Sequence, residues 1–289
     1  MSIGLFVQRI YFSLYYIIHR GLLINGWIYP NRFSYARNNF GDDINIPLLY
    51  ILSGKNCVVK HSTFLQNTNN LLCIGSIIEG FTDEQSIIWG SGAIEGKKKL
   101  TYKPKKVCAV RGPLTRQYLL DQGIECPEIY GDPALLMPLI YTPKFEKKYK
   151  LGIIPHYSEL ELPEIKALSD RDDILVIKMR NYETWQSVID QIVSCEAIAS
   201  SSLHGLIISD AYGVPNVHVR LSNNVEGGEF KYRDYYGGVG RVYIPAIDLS
   251  ERIDLLEIKK SLKSYKPLNY DYKPLLRAFP YKLKTKYKI

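Results

Sequence analysis

Short apolar runs alternate with helical patterns through most of the chain, and this alternation constrains the fold more than any other feature of the sequence. The apolar runs form two series, residues 56–60, 70–76, 86–92, 106–112 and 128–136, then residues 151–157, 173–179, 196–202 and 216–221. Helical patterns cover residues 113–123, 185–195 and 203–213. Buried strands joined by crossover helices form parallel sheets with both faces covered. The sequence therefore predicts an α/β fold with two Rossmann-like lobes around a cleft.

A polar, proline-containing segment at residues 141–150 separates the two series. We therefore expect an N-terminal lobe over residues 1–140 and a C-terminal lobe over residues 141–265. Residues 266–289 form a basic tail that can pack back on the N-terminal lobe. Because ligands of open α/β sheets bind beyond the C-terminal ends of the strands, functional side chains are expected there.

The charge and the cysteines limit the class of protein. The formal net charge is +8, but the 37 lysines and arginines are dispersed. No helix-turn-helix or RNP-type pattern accompanies them, so we expect no nucleic-acid partner. An anionic substrate or an anionic membrane surface accounts for the charge equally well. The five cysteines are far apart, which favours reduced core thiols in a cytosolic protein over disulfides or a metal site.

The first 30 residues are apolar and aromatic but are interrupted by Arg9, His19 and Arg20. The longest uncharged run between these residues is about nine residues, far short of the roughly 20 that span a bilayer. The segment has no pattern of a cleavable signal peptide. Two interpretations remain open, a helix in the membrane interface and a helix packed in the core.

The stretch SSSLHG at residues 200–205 predicts the start of a helix at the end of a strand. Serine is a preferred N-cap residue, and a helix N-terminus offers free N–H groups to an anion. Ser201, Ser202 and Leu203 would surround such a site, and His204 would lie in the first turn. That histidine either bonds to a neighbouring carbonyl or acts on a bound anion. Without an anion, the helix dipole is expected to disfavour its imidazolium form.

A similar turn is found in NNFGDDIN, residues 38–45. Asp42 or Asp43 can cap the following helix, and Gly41 permits close approach of the backbone. Together with Asn38 and Asn39, these residues form either an ordinary capped loop or a binding surface for sugar hydroxyls.

Two more strand ends carry candidate residues. Arg111 ends an apolar strand and can pair with a phosphate or carboxylate, or form a structural salt bridge. Gly90, Ser91 and Gly92 form a tight loop expected at the same edge. Asp132 is expected to be a structural cap.

Residues 227–241 combine glycine, tyrosine and charge in what the sequence predicts to be a long irregular segment. Such segments often close over ligands. Lys231 is the candidate anion contact in this segment, against the alternative of a solvated surface lysine.

Taken in order from about residue 36 to residue 240, these stretches resemble the polysaccharide pyruvyl transferase family. The resemblance is carried by NNFGDDIN, IWGSGAIEG, AVRGPLTR, YGDPALLMP, SSSLHGLIISDAYGVP and FKYRDYY. It implies a glycosyltransferase-B-like fold and transfer of a pyruvyl group from phosphoenolpyruvate (PEP) onto a sugar, usually as a cyclic ketal. It implies no cofactor, since PEP is the donor substrate.

The resemblance also implies roles for individual residues. PEP would be bound by Arg111, Ser201, Ser202, Leu203, His204 and Lys231. The acceptor would be bound by Asn39, Gly41, Asp42, Asp43, Gly90, Ser91 and Gly92. The catalytic residues would be His204 as general acid, Arg111, and Asp42, which orients or deprotonates the acceptor. Several relatives have arginine where this chain has Ser202, so an anion contact is missing or comes from elsewhere.

The implied acceptor is a lipid-linked oligosaccharide of bacterial capsule or exopolysaccharide synthesis. This would place the enzyme in the cytoplasm, at the inner face of the membrane. A nucleotide-sugar glycosyltransferase and a non-catalytic sugar-binding protein remain the alternatives.

Overall fold

The chain folds around two parallel β-sheets in the computed structural model, which describes residues 2–31, 34, 35, 39–144 and 146–288. Asn38 of the predicted sugar-binding turn lies outside the described residues. The strands are β1 (Leu22–Ile24), β2 (Pro30–Asn31), β3 (Ser34–Tyr35), β4 (Cys57–Val59), β5 (Asn70–Leu72), β6 (Ser86–Trp89), β7 (Lys106–Ala109), β8 (Leu151–Ile154), β9 (Ile174–Val176), β10 (Ile198–Ser200), β11 (Asn216–Arg220) and β12 (Ile247–Asp248). The helices are α1 (Ile3–His19), α2 (Phe40–Asp43), α3 (Asn45–Ser53), α4 (Ile78–Phe81), α5 (Pro113–Leu120), α6 (Pro163–Leu168), α7 (Trp185–Val193), α8 (Leu203–Ala211), α9 (Phe230–Gly238), α10 (Leu255–Leu262) and α11 (Lys273–Arg277). Short 3-10 helices cover Lys60–Ser62, Pro133–Leu139, Tyr157–Glu159 and Thr285–Tyr287.

The first sheet has the strand order β4-β1-β5-β6-β7, and the second has the order β12-β11-β10-β8-β9. Every neighbouring pair in both sheets is parallel. Strands β1, β4, β5 and β6 are buried along their whole length, as expected for strands covered on both faces. These two five-stranded parallel sheets confirm the predicted α/β class.

Three segments differ from the sequence-based expectation. The apolar N-terminal segment contributes β1, a short strand that pairs with β4 and β5 inside the first sheet. Residues 128–136, all described, form an isolated bridge at Tyr130 and then a 3-10 helix, not a strand. Pro133 starts that helix, because its ring fixes φ and it has no N–H to donate to a ladder. Residues 227–241 contain α9, where an irregular segment is predicted.

The C-terminal segment packs on the first sheet. Trp89 Nε1 donates a hydrogen bond to the Leu275 carbonyl at 2.8 Å, and the Phe279 ring lies edge-on to Trp89 at 4.7 Å. The Lys284 amide donates to the Leu52 carbonyl of α3 at 2.8 Å. The residues after 266 therefore help to cover the first sheet.

Helix α8 connects the two halves of the molecule. It packs on β10 and β11 of the second sheet and on the 3-10 helix at Pro133–Leu139. Between Leu203 and Asp210, every residue of α8 except His204 is buried. The packing brings the first turn of α8 next to Asp132, the residue that caps the 3-10 helix.

Helix α1 lies on the surface of the first sheet, with Phe12 as its one buried residue. Its apolar side chains follow helical spacing but point to solvent, with exposures from 40 to 84% at Ile3, Val7, Ile10, Leu14, Ile17 and Ile18. One face of α1 thus packs on the core through Phe12, Tyr15 and Tyr16 and the other is exposed, so neither interpretation is excluded. Among the described residues, no helix is both long enough and apolar enough to cross a bilayer.

Candidate active site

A cavity of about 640 Å³ opens where the carboxyl ends of strands from both sheets meet. Residues that follow β1, β5, β8, β9 and β10 line it, namely Trp27, Tyr29, Gly75, Ser76, His156, Tyr157, Met179, Arg180, Ser202, Leu203 and His204. The remaining lining residues are Asn39, Asp42, Glu79, Gly80, Ile94, Lys98, Glu226 and Lys231. This is where ligands bind in open α/β folds.

Helix α2 presents Asn39 and Asp42 to the cavity. Asn39 Oδ1 accepts from the Gly41 amide at 3.3 Å, and Asn39 Nδ2 donates to Asp42 Oδ2 at 2.7 Å. Burial, and then the neighbouring Asp43, raises the pKa of Asp42 to about 8, so this carboxyl group is largely protonated at neutral pH. Asp43 points elsewhere and accepts a hydrogen bond from the Tyr182 hydroxyl at 2.7 Å.

The first turn of α8 forms the opposite wall. Ser202 occupies the N-cap position, but its side chain makes no capping hydrogen bond with a described residue, so the first N–H groups of α8 lack that partner. Ser201 lies beneath the wall, where its hydroxyl donates to the buried carboxylate of Glu159 and accepts from the His156 amide at 2.9 Å. Leu203 follows Ser202 in the lining of the cavity.

His204 is held between the two walls. Its ring lies against Gly41, where an added Cβ would be 2.0 Å from Nδ1. Burial, and then the charges of Arg111 and Lys231, lowers the pKa of His204 to about 3, so the imidazole is neutral. The direction agrees with the expected disfavoured imidazolium, but burial is the main cause.

Arg111 lies behind the cavity and is fully buried. Its Nε donates to Asp234 Oδ2 at 3.0 Å, Nη2 donates to the Ala93 carbonyl at 2.7 Å, and Nη1 donates to Ser76 Oγ. Thr115 also donates to Asp234 through both its amide and its hydroxyl. The structure thus gives Arg111 the salt bridge that the sequence left as one alternative, and Arg111 contacts Ser76, which lines the cavity.

The glycine loop supports this arginine from the side. A Cβ on Gly92 would lie 2.2 Å from Arg111 Cζ, so the guanidinium packs directly on the backbone. Ser91 Oγ donates to the Gly75 carbonyl at 2.9 Å. Gly90 has a φ of +82° and packs against Pro133. None of the three loop residues Gly90, Ser91 and Gly92 is among the described residues that line the cavity. Gly41 and Asp43 are likewise adjacent to the lining residues and not among them.

Lys231 reaches the cavity from the first turn of α9. Its Nζ donates to the Glu226 carbonyl at 2.7 Å and lies 5.3 Å from the Tyr232 ring centroid. Burial, and then Arg111, lowers the pKa of Lys231 to about 8. A partly desolvated ammonium of this kind is suited to binding an anion.

Several lining residues are missed by sequence reasoning. His156 follows β8, and Arg180 follows β9 with its guanidinium 5.6 Å from the Tyr157 ring centroid. Burial lowers the pKa of His156 to about 4. His156 lies near the end of the predicted strand 151–157 and Arg180 directly after the predicted strand 173–179, and these positions could have identified both as site residues.

The cavity therefore combines acidic side chains, histidines and cations at the carboxyl ends of two parallel sheets. Among the described residues, no group of three or more histidine, cysteine or acidic side chains is placed to hold a metal ion.

The polysaccharide pyruvyl transferase family model matches residues 39–223, and the chain belongs to that family. The succinoglycan biosynthesis protein ExoV of Rhizobium meliloti (strain 1021) is 28% identical over 222 residues, 75% of this chain. The uncharacterized protein L143 of Acanthamoeba polyphaga mimivirus is 30% identical over 173 residues, 58% of this chain. The match spans 66% of ExoV and 59% of L143.

A solved structure of an uncharacterized protein from Klebsiella pneumoniae subsp. pneumoniae NTUH-K2044 is also similar. The two chains share 14% identity with a TM-score of 0.44, over 85% of this chain and 100% of that one.

Proposed function

We propose that the protein transfers a pyruvyl group from PEP onto a sugar in bacterial surface polysaccharide biosynthesis, as a cyclic ketal. The observation that carries the proposal is His204 at the first turn of α8, with Lys231 and Asp42 lining the same cavity. Family membership supports the class of reaction. We also propose that the two sheets belong to lobes arranged as in glycosyltransferase-B enzymes, with the cavity in the cleft between them.

PEP carries a phosphate and a carboxylate, so its site needs several cationic or N–H donors. Lys231 and the N-terminus of α8 supply two of these groups. Arg180 lines the same cavity as Ser202, and we assign to it the cationic contact that this chain lacks at Ser202. Arg111 is buried behind the cavity, and its positive charge favours binding of an anion that its side chain does not contact.

His204 is assigned the transfer of a proton to the methylene carbon of PEP. This step requires the imidazolium form, which the negative charge of bound PEP stabilises beside a histidine that is neutral in the empty site. A sugar hydroxyl attacks the resulting oxocarbenium carbon C2, phosphate leaves, and a second hydroxyl closes the ketal. Of the two hydroxyl protons, one replaces the proton that His204 gave and the other leaves with the phosphate. Asp42 orients the acceptor, and only its ionised fraction can accept a proton.

Comparison of His204→Gln with the wild type tests the proposal. Glutamine keeps the volume and a hydrogen-bond donor but cannot supply the acidic proton, so PEP-dependent phosphate release should fall about 10²–10⁴-fold. His19→Gln, at an exposed position of α1, is the matched control and should keep full turnover. Near-complete turnover by His204→Gln, or binding of UDP- or GDP-sugars without binding of PEP in calorimetry, would refute the assignment.

We further propose that the acceptor is lipid-linked and that α1 docks on the anionic inner face of the cytoplasmic membrane. The exposed apolar face of α1 is adjacent to Arg9 and Arg20, an arrangement typical of interfacial helices. The Arg9 guanidinium donates to the His61 carbonyl, and the His61 ring contacts Tyr29, which lines the cavity. These contacts connect the helix to a wall of the cavity, and we propose that a sugar on a lipid carrier arrives from this side.

Vesicle co-sedimentation tests this surface. We expect binding to phosphatidylglycerol vesicles that weakens at high salt, and little binding to phosphatidylcholine vesicles. Leu14→Asp should abolish binding, while Leu256→Asp, at an exposed position of α10, should not. Equal binding by both variants, or a salt-resistant dimer lost in Leu14→Asp, would contradict membrane docking and assign the face to another use.

A further inference from the structure

Asp132, which caps the 3-10 helix Pro133–Leu139, faces His204, the residue assigned as proton donor. Its Oδ2 lies 3.9 Å from His204 Nε2. Neither atom has a hydrogen-bond partner among the described residues, although both are buried. Buried polar atoms without partners are uncommon, and two that face each other indicate a contact that forms in another state of the site.

Only one of the two carboxyl oxygens of Asp132 is used to cap the 3-10 helix. Oδ1 accepts a hydrogen bond from the Ala134 amide at 2.9 Å. Oδ2 has no role in that cap and points to the histidine of another element, 72 positions later in the chain by residue number. A structural cap could be made equally well by asparagine, which has the same shape.

In the empty site, burial favours the neutral forms of both groups, so below about pH 7 the proton resides on Asp132 and not on His204. Burial raises the pKa of Asp132 to about 7, whereas the pKa of His204 is lowered to about 3. The titratable groups that interact electrostatically with one or the other are Asp42, Cys73, Arg111, Lys231, Asp234 and Tyr270. An anionic substrate adds negative charge on the cavity side of His204, which favours the imidazolium beside an ionised Asp132.

We propose that Asp132 is a positioning residue for His204, whose carboxylate orients the imidazole through Nε2–H and stabilises its protonated form during pyruvyl transfer. The inference rests on the proposed function for the role of His204, but the contact itself does not. A small rotation of the ring closes the gap from 3.9 Å to a hydrogen bond. With Nε2 bonded to Asp132, Nδ1 is the ring nitrogen left to exchange a proton with substrate, and in the structure it lies against Gly41.

The contact can be tested without substrate, by nitrogen-15 NMR of the histidine rings above about pH 7, where Asp132 is ionised. In the wild type we expect His204 as the Nε2–H tautomer, which donates to the carboxylate. In Asp132→Asn the amide keeps the cap through its oxygen and offers an N–H to Nε2, so His204 should change to the Nδ1–H tautomer. His204→Gln identifies the signal. The same tautomer in both proteins would overturn the proposal, whatever the reaction.

Turnover of PEP tests the consequence. Asp132→Asn should lower kcat about 10²-fold or more, with little change in KM for PEP. The alkaline limb of its pH–rate profile should move to lower pH, because the imidazolium has lost its counter-ion. Unchanged kcat and an unchanged limb in the variant refute the positioning role, while failure of the wild type to consume PEP refutes the proposed function instead. If the variant is unstable, the tautomer of His204 in the wild type alone decides, and an Nδ1–H form above about pH 7 rejects the contact.

Discussion

The contact between Gly41 and His204 makes a sharp prediction for Gly41→Ala. A Cβ at this position would lie 2.0 Å from His204 Nδ1 and 2.4 Å from Cε1. Gly41 is in helix α2 and its φ is not in the left-handed region, so alanine fits the backbone and only the collision matters. The variant therefore perturbs the position of the imidazole and little else.

The size of the effect follows from the distances. Because non-bonded heavy atoms pack about 3.5–4.0 Å apart, the ring must retreat by more than about 1 Å. A misplacement of about 1 Å can cost about 10²-fold in rate, and overpacking costs about 1–3 kcal/mol of stability. We therefore expect kcat to fall about 10²-fold or more while the protein remains folded.

The measurement is PEP-dependent phosphate release together with a thermal scan of each variant. Gly80→Ala is the matched control, since Gly80 also lines the cavity but an added Cβ there meets no described atom within 4 Å. The control should keep wild-type turnover. If Gly41→Ala and Gly80→Ala are equally active, the position of His204 does not govern the reaction.

Three other expectations concern the charged groups. Asp234→Ala leaves the buried Arg111 guanidinium unpaired at a cost of about 3–5 kcal/mol, so the Tm of the variant should fall by about 6–20 °C. The control Asp248→Ala breaks an exposed ion pair, and its Tm should fall by less than about 4 °C. Equal shifts of the two variants in thermal scans would contradict this expectation. Affinity for PEP in calorimetry should fall as the pH rises through about 8, where Lys231 loses its proton and Asp42 ionises in the same cavity. Lys231→Arg should make this fall smaller. An equal fall in both proteins would assign it to another group, such as Asp42. Arg180→Gln should weaken PEP binding about 10-fold or more with little change in Tm, and an unchanged Kd would exclude the contact.

The sequence predicts the parts of the fold that have strong local patterns. Strands β8, β10 and β11 and helix α8 lie in separate apolar runs with polar or helical segments between them, and the serine-rich end of β10 places His204 correctly in the first turn of α8. Strand β1 is missed because its three residues lie in a wider apolar segment and their partners are distant in the chain. Residues 128–136 are mistaken for a strand because apolar content alone does not distinguish a strand from a 3-10 helix.

The candidate site depends on contacts that local sequence does not encode. Arg111 is buried because Asp234, 123 positions away, forms its partner, and no pattern around either residue indicates that pairing. His156 and Arg180 end predicted strands, but only the packing of the two sheets decides which strand ends converge on one cavity. A site residue could therefore be predicted where a single turn of the chain positions it. It could not be predicted where two turns that are distant in sequence must come together.

A backbone hydrogen bond joins two sides of the cavity. The Phe40 amide of α2 donates to the Met179 carbonyl beyond β9 at 2.8 Å, so a backbone hydrogen bond links the first sheet's side to the second's. A wide separation of the two sheets would break this bond and the buried Arg111–Asp234 pair together. We therefore expect the backbone around the cavity to be ordered before substrate binds, so that little conformational entropy is lost when the donor arrives.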